Sequence, residues 1–156
     1  MPLDYVVFSL GFFVIHLVVY MAAGWFTLRY VSGHLYQGQS ALLTAFMRDP
    51  SDAGEGAGLM VRLIAVQIVR AILMSVVLYP LLGPIGDLPF ELRALFLAGL
   101  MFVYADLASA VPFSNTLEGL VYLKPRFVSR PVFLRIGTEA LIYSIAFGLL
   151  AGWFLF

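Results

Sequence analysis

Four stretches of this chain run for about twenty residues or more with very few charges, at about residues 5–28, 59–82, 92–113 and 132–155. Roughly 20 apolar residues in a helix cross the ~30 Å hydrocarbon core of a bilayer. Inside that core each backbone N–H and C=O must find its partner within the protein, which a helix achieves within one segment. The pattern therefore predicts an all-α integral membrane protein, a four-helix bundle forming one domain over residues 1–156. Composition agrees: 62% of residues are hydrophobic and 12% charged, with a mean hydropathy of +0.98. Nine basic and nine acidic residues would cover a soluble exterior poorly.

The connections differ in character. Residues 29–58 are the longest and contain LYQGQSALLTAFMR, which reads as a short interfacial helix, followed by the turn-rich DPSDAGEGAG. GPIGDLP reads as a tight turn that makes the second and third spans an antiparallel hairpin. Residues 114–131 carry a second interfacial piece and end at Pro131, a suitable opening residue for a helix. The opening MPLDYVVFSL has neither the basic region nor the small-residue cleavage site of a signal peptide, so the first apolar segment is expected to stay as a span.

Charge asymmetry predicts orientation. Arg29, Arg48, Arg62, Lys124, Arg126, Arg130 and Arg135 lie in or beside the first and third connections, against Arg93 on the other side. By the positive-inside rule, connections 29–58 and 114–131 face the cytoplasm and both termini face outward, as in a multi-pass protein of a bacterial inner membrane. Trp25, Tyr30, Tyr79 and Trp153 fall near span ends, where an aromatic belt would sit.

Several ionisable or strongly polar groups lie well inside the spans: His16, Gln67, Arg70, Asp106 and Glu139. Counted at 1.5 Å per residue from the cytoplasmic ends, Arg70 lies roughly 15 Å deep, Asp106 roughly 10 Å, Glu139 roughly 12 Å and His16 about 18 Å. Lone charges in hydrocarbon are costly, so these groups are expected to face the bundle interior as one network, with Arg70 pairing with Asp106 or Glu139. Gln67 precedes Arg70 by three residues, Ser109 follows Asp106 by three, and Arg135 and Tyr143 flank Glu139 at four, all spacings that share a helix face. Three roles fit: an ion pair that fixes helix register, a proton or ion path, or a site for a partner, lipid or cofactor. The cations Lys124, Arg126, Arg130 and Arg135 follow from topology and also suit an anionic lipid headgroup. Gly148 and Gly152 form a GxxxG spacing that permits close helix approach.

Much chemistry is excluded. There are no cysteines, hence no disulfide, thiolate nucleophile or thiolate-bound cluster. The two histidines, His16 and His34, give no expectation of a metal site, and no cofactor is expected. No Ser–His–acid set, HExxH or phosphate-binding glycine loop is present. A net charge of zero gives no reason to expect nucleic acid.

Four spans, outward termini, a long first cytoplasmic connection and this length resemble the membrane-associated eicosanoid and glutathione metabolism family. The resemblance covers topology and not motif. Where that family has an Arg, Asn and Glu series early in its second span, this chain has Arg62, Gln67 and Arg70, and no site residue is carried over. The expected function is that of a non-catalytic accessory, assembly or stabilising subunit, with the bilayer and other membrane subunits as partners. The alternative is an oligomeric channel or transporter using the buried charges, and a glutathione-type membrane enzyme stands third.

Overall fold

A computed structural model describes residues 2–37, 41–49, 52–54 and 58–156, all in helices, turns and irregular segments, with no strand among them. Helix α1 spans Pro2–Tyr30, with Asp4 in its first turn and Arg29 in its last, each of the sign that suits its end of the helix dipole. It stops where Val31 N–H and Ser32 N–H both donate to Thr27 C=O, at 2.8 and 2.9 Å. Gly33 follows, and a Cβ there would stand 2.1 Å from the Leu28 carbonyl oxygen. Only glycine lets the chain double back so tightly. The return opens the short helix α2, Gly33–Tyr36. The interfacial helix expected over LYQGQSALLTAFMR is thus realised as α2 and a single 3₁₀ turn, Leu43–Ala45. Residues 38–40 between them, and part of DPSDAGEGAG, lie outside the described residues.

Helix α3 covers Leu59–Leu78 and continues through a 3₁₀ turn, Tyr79–Leu81, into the short helix α4, Leu82–Gly86. The reversal expected across GPIGDLP is therefore compressed into Asp87–Pro89, and α5 begins directly after it at Phe90 and ends at Gly99. From Leu100 to Leu107 the same rod proceeds as π-helix. Helix α6, Leu117–Tyr122, starts at Thr116, whose Oγ1 accepts the Gly119 N–H at 3.0 Å as a side-chain cap. Helix α7 runs Arg130–Phe154 with Pro131 in its first turn, as the sequence implied.

Among the described residues, three helices are long and apolar enough to cross a membrane: Asp4–Tyr30, Leu59–Gly86 and Arg130–Phe154. The segment expected to span 92–113 departs from that reading, because the helix that starts at Phe90 ends at Leu107. Pro112 has no N–H to offer a helix and pushes Val111 out of helical backbone, so residues 108–116 turn back on themselves instead.

In space α1 lies between α3 and α7, and α7 packs in turn against α5. The α5–α7 contact is the most extensive, and its cause is local. A Cβ on Gly148 would sit 2.5 Å from the Ala94 carbonyl oxygen and 2.7 Å from the Ala98 nitrogen, and one on Gly152 would sit 3.3 Å from Ala94 Cα. The GxxxG pair is thus used within the chain, where it seats α7 on the alanines of α5. The main core draws Phe8 and Phe12 from α1, Ala71 and Leu78 from α3, Leu97 from α5, and Phe147 and Ala151 from α7. A second cluster of Leu35, Leu43, Val132 and Ile136 fastens the first connection to the start of α7. Outward faces stay apolar: Val61, Val69, Leu73 and Val77 on α3 and Leu92 and Leu95 on α5 are exposed, an arrangement unfavourable in water and natural in hydrocarbon.

Candidate functional site: a polar ladder inside the helices

Arg135, Glu139 and Tyr143 recur at four-residue intervals on α7, so they climb one face of it. Each meets a partner from a different part of the chain. Arg135 Nη1 is hydrogen-bonded to His34 Nε2 on α2. One turn further, the Tyr36 hydroxyl donates to Glu139 Oε2 at 2.9 Å. Another turn on, Tyr143 Oη lies 2.5 Å from His16 Nδ1 of α1, and His16 Nε2 lies 2.8 Å from Gln67 Oε1 of α3. The tight return at Gly33 sets His34 and Tyr36 against α7.

The top rung fixes a tautomer. Gln67 Oε1 can only accept, so His16 Nε2 carries the hydrogen, and in a neutral imidazole Nδ1 then accepts from the Tyr143 O–H. His16 is fully buried, with Tyr143 edge-on to its ring and Phe12 and Tyr20 stacked on either side. Its two bonds join α1, α3 and α7.

Beyond His16 the ladder ends. One turn along each helix come Phe12, Ala71 and Phe147, exposed by 1%, 0% and 1%, with the two phenyl rings edge to face at 5.1 Å. On the far side of this layer lies a separate cluster, in which Ser75 Oγ is 2.9 Å from Ser9 Oγ and Ser9 is bonded to Tyr79. A buried apolar layer therefore separates the two polar clusters.

The two acids, Asp106 and Glu139, bond elsewhere than expected. Asp106 Oδ1 accepts from Asn115 Nδ2 at 2.7 Å, because the turn at 108–116 brings Asn115 back under the π-helix. Glu139 takes its bond from Tyr36, and its other oxygen, Oε1, is buried with no partner among the described residues. Neither acid bonds to Arg70, so the expected Arg70 pair does not form. Arg70 is near enough for its charge to act on His16 and Asp106, yet among the described residues it has no hydrogen-bond or ion-pair partner. Its side chain borders an apolar cleft between α3 and the π-helix. On α2, outside the spans, burial and then the charge and bond of Glu139 push the Tyr36 phenol well above its ordinary range, which keeps it a donor to that carboxylate.

The cations proposed for an anionic lipid are dispersed in role. Arg135 is engaged with His34, Arg126 lies over the Phe127 ring at 4.6 Å, and Lys124 and Arg130 are exposed. Among the described residues no group of three His, Asp or Glu is placed to hold a metal ion. Sequence reasoning missed Asn115, Tyr36 and His34 as partners, since all three lie in connections. The one signal was SNTLEGL, whose Thr116 marks a helix start and so a turn next to Asn115.

No protein-family model matches the chain, and neither a curated protein nor a solved structure matches it.

Proposed function

We propose that this chain is a small four-span membrane protein with both termini outward, and that it serves as a non-catalytic accessory, assembly or stabilising subunit of a larger membrane complex. The fourth crossing in this reading is the rod Phe90–Leu107, 18 residues in α- and then π-helical form. Orientation rests on the cations of residues 29–58 and 114–131, which by the positive-inside rule lie in the cytoplasm, the arrangement of a bacterial inner-membrane protein.

The observation that carries the reading is the way the interior polar groups are used. Tyr143, Gln67, Tyr36, Asn115 and His34 each bond a side chain on another element, so most of the network is spent on holding helices together. The buried layer of Phe12, Ala71 and Phe147 interrupts the polar groups of α1, α3 and α7, which supports a structural use of them and, in the channel alternative, a pore between copies.

Purification of the tagged protein from its own membranes in mild detergent, followed by mass spectrometry, tests the reading. A reproducible, stoichiometric membrane partner is expected. Recovery as a clean monomer or homo-oligomer would overturn it. In the second case the channel reading takes its place, and Asp106→Asn should then alter conductance or its pH dependence in reconstituted bilayers.

A further inference from the structure

The cleft beside Arg70 has a volume of about 700 Å³ and opens sideways, away from the bundle. Val66, Val69, Leu73 and Met74 of α3 form one wall and Ala105 of the π-helix contributes to the other. Val66, Val69 and Leu73 succeed one another at spacings of three and four, the ridge that a neighbouring helix packs against. The single charge in this apolar surface is the Arg70 guanidinium, which brings five N–H donors and meets no acceptor among the described residues. Asp106 offsets part of its charge at a distance but gives its oxygen to Asn115.

Resting on the subunit reading, we infer that this cleft is the docking site for a helix of a partner membrane protein that carries a carboxylate at mid-depth. Chemistry selects the carboxylate, since its two oxygens match the guanidinium fork in a paired, charge-assisted contact. Depth selects a helix over a lipid. Arg70 lies eleven residues into α3, about 16 Å along its axis, near the middle of a ~30 Å core. The head of an anionic lipid sits at the interface, whereas a partner helix delivers an acid to the midplane as part of its own span. A second copy of this chain fits less well, because Glu139 keeps both oxygens inside its own fold, one on Tyr36 and one buried, and Asp106 already takes the Asn115 amide; capture of a second copy at Leu73 would overturn the inference.

The test is made in native membranes with the full chain. A photo-crosslinking amino acid at Leu73 faces the cleft, and one at Leu95, on the exposed face of α5, serves as control. Leu73 should capture one membrane protein with Asp or Glu at mid-span, and Leu95 should not. Capture should fall at least tenfold with Arg70→Met, fall equally when the partner's acid is made an amide, and fall to an intermediate level with Arg70→Lys, which keeps the charge and loses the fork. Val69→Trp, which fills the cleft without touching the charge, should abolish capture and keeps the test valid if Arg70→Met fails to fold. A captured protein without a mid-span acid, or capture indifferent to Arg70→Met and Val69→Trp, would overturn the inference while leaving the subunit reading intact. An anionic amphiphile held by the wild type and lost from Arg70→Met in native mass spectrometry would overturn it in favour of a lipid. A clean monomer in mild detergent would bring down the subunit reading itself.

Discussion

Replacing His16 by phenylalanine isolates the polar linkage at the top of the ladder. The new ring is somewhat larger than imidazole and can keep the stacking with Phe12 and Tyr20, so no cavity results. Both hydrogen bonds disappear, and Gln67, 5% exposed, and the Tyr143 hydroxyl are left in an apolar interior. Hydrogen bonds between membrane helices average about 0.6 kcal/mol and reach about 1.7 kcal/mol, because the unfolded chain also finds partners in the bilayer. Two such losses, with two polar groups stranded, place the expected cost of His16→Phe at about 1–3 kcal/mol. Gln67→Leu strands only the His16 Nε2–H and should cost about 1 kcal/mol. In the double variant neither the amide nor the imidazole N–H remains to be stranded, so its cost should fall short of the sum by about 1 kcal/mol. Equilibrium unfolding in mixed micelles, followed by circular dichroism, measures all three. Strict additivity, or a His16→Phe variant as stable as the wild type, would refute the assignment of this linkage to α1, α3 and α7.

Three further outcomes follow from the geometry. Gly148→Ala should destabilise by about 1–3 kcal/mol, since the new methyl meets the backbone of α5, whereas Gly152→Ala, at 3.3 Å from Ala94 Cα, should cost well under that, with thermal melts separating the two. Asn115→Leu should cost about 1–3 kcal/mol by removing the donor to Asp106, and limited proteolysis should find residues 108–116 more accessible. Tyr36 has a phenol pKa raised above its unfolded value of 10.0, so the stability it contributes is complete below about pH 10 and declines as pH rises beyond that. Tyr36→Phe should therefore flatten the alkaline arm of the stability profile, and an unchanged arm would count against the Tyr36–Glu139 contact.

Residue counting assigns His16, Gln67, Arg70, Asp106 and Glu139 a level along their helices, because rise along a helix is nearly invariant, but it carries no direction. Pairing depends also on rotation about each axis, which neighbouring helices decide. Gln67 and Arg70 lie three residues apart, yet one points at His16 and the other borders the outer cleft. The three long apolar helices were legible from length and hydropathy. The third apolar segment was read too long, since hydropathy counts the apolar residues up to Phe113 and ignores that Pro112 ends helical backbone. His34 and Tyr36 bond residues 101 and 103 positions away, contacts created by the reversal at Gly33, and no local spacing encodes them.

The π-helical turns of Leu100–Leu107 have a consequence for how this chain tolerates changes in length. Each closes a ring from residue i to i+5, as in the Ala108 N–H bond to Val103 C=O at 2.8 Å, and so holds one residue more than an α-turn. Such a stretch behaves as an insertion already absorbed. Loss of a single residue there has a ready refuge in ordinary α-geometry, without breaking the rod. A loss in plain α-helix has no such refuge and swings whatever follows by about 100° around the axis. The segment that carries Asp106 is thus a place in the rod where a one-residue loss can be taken up locally.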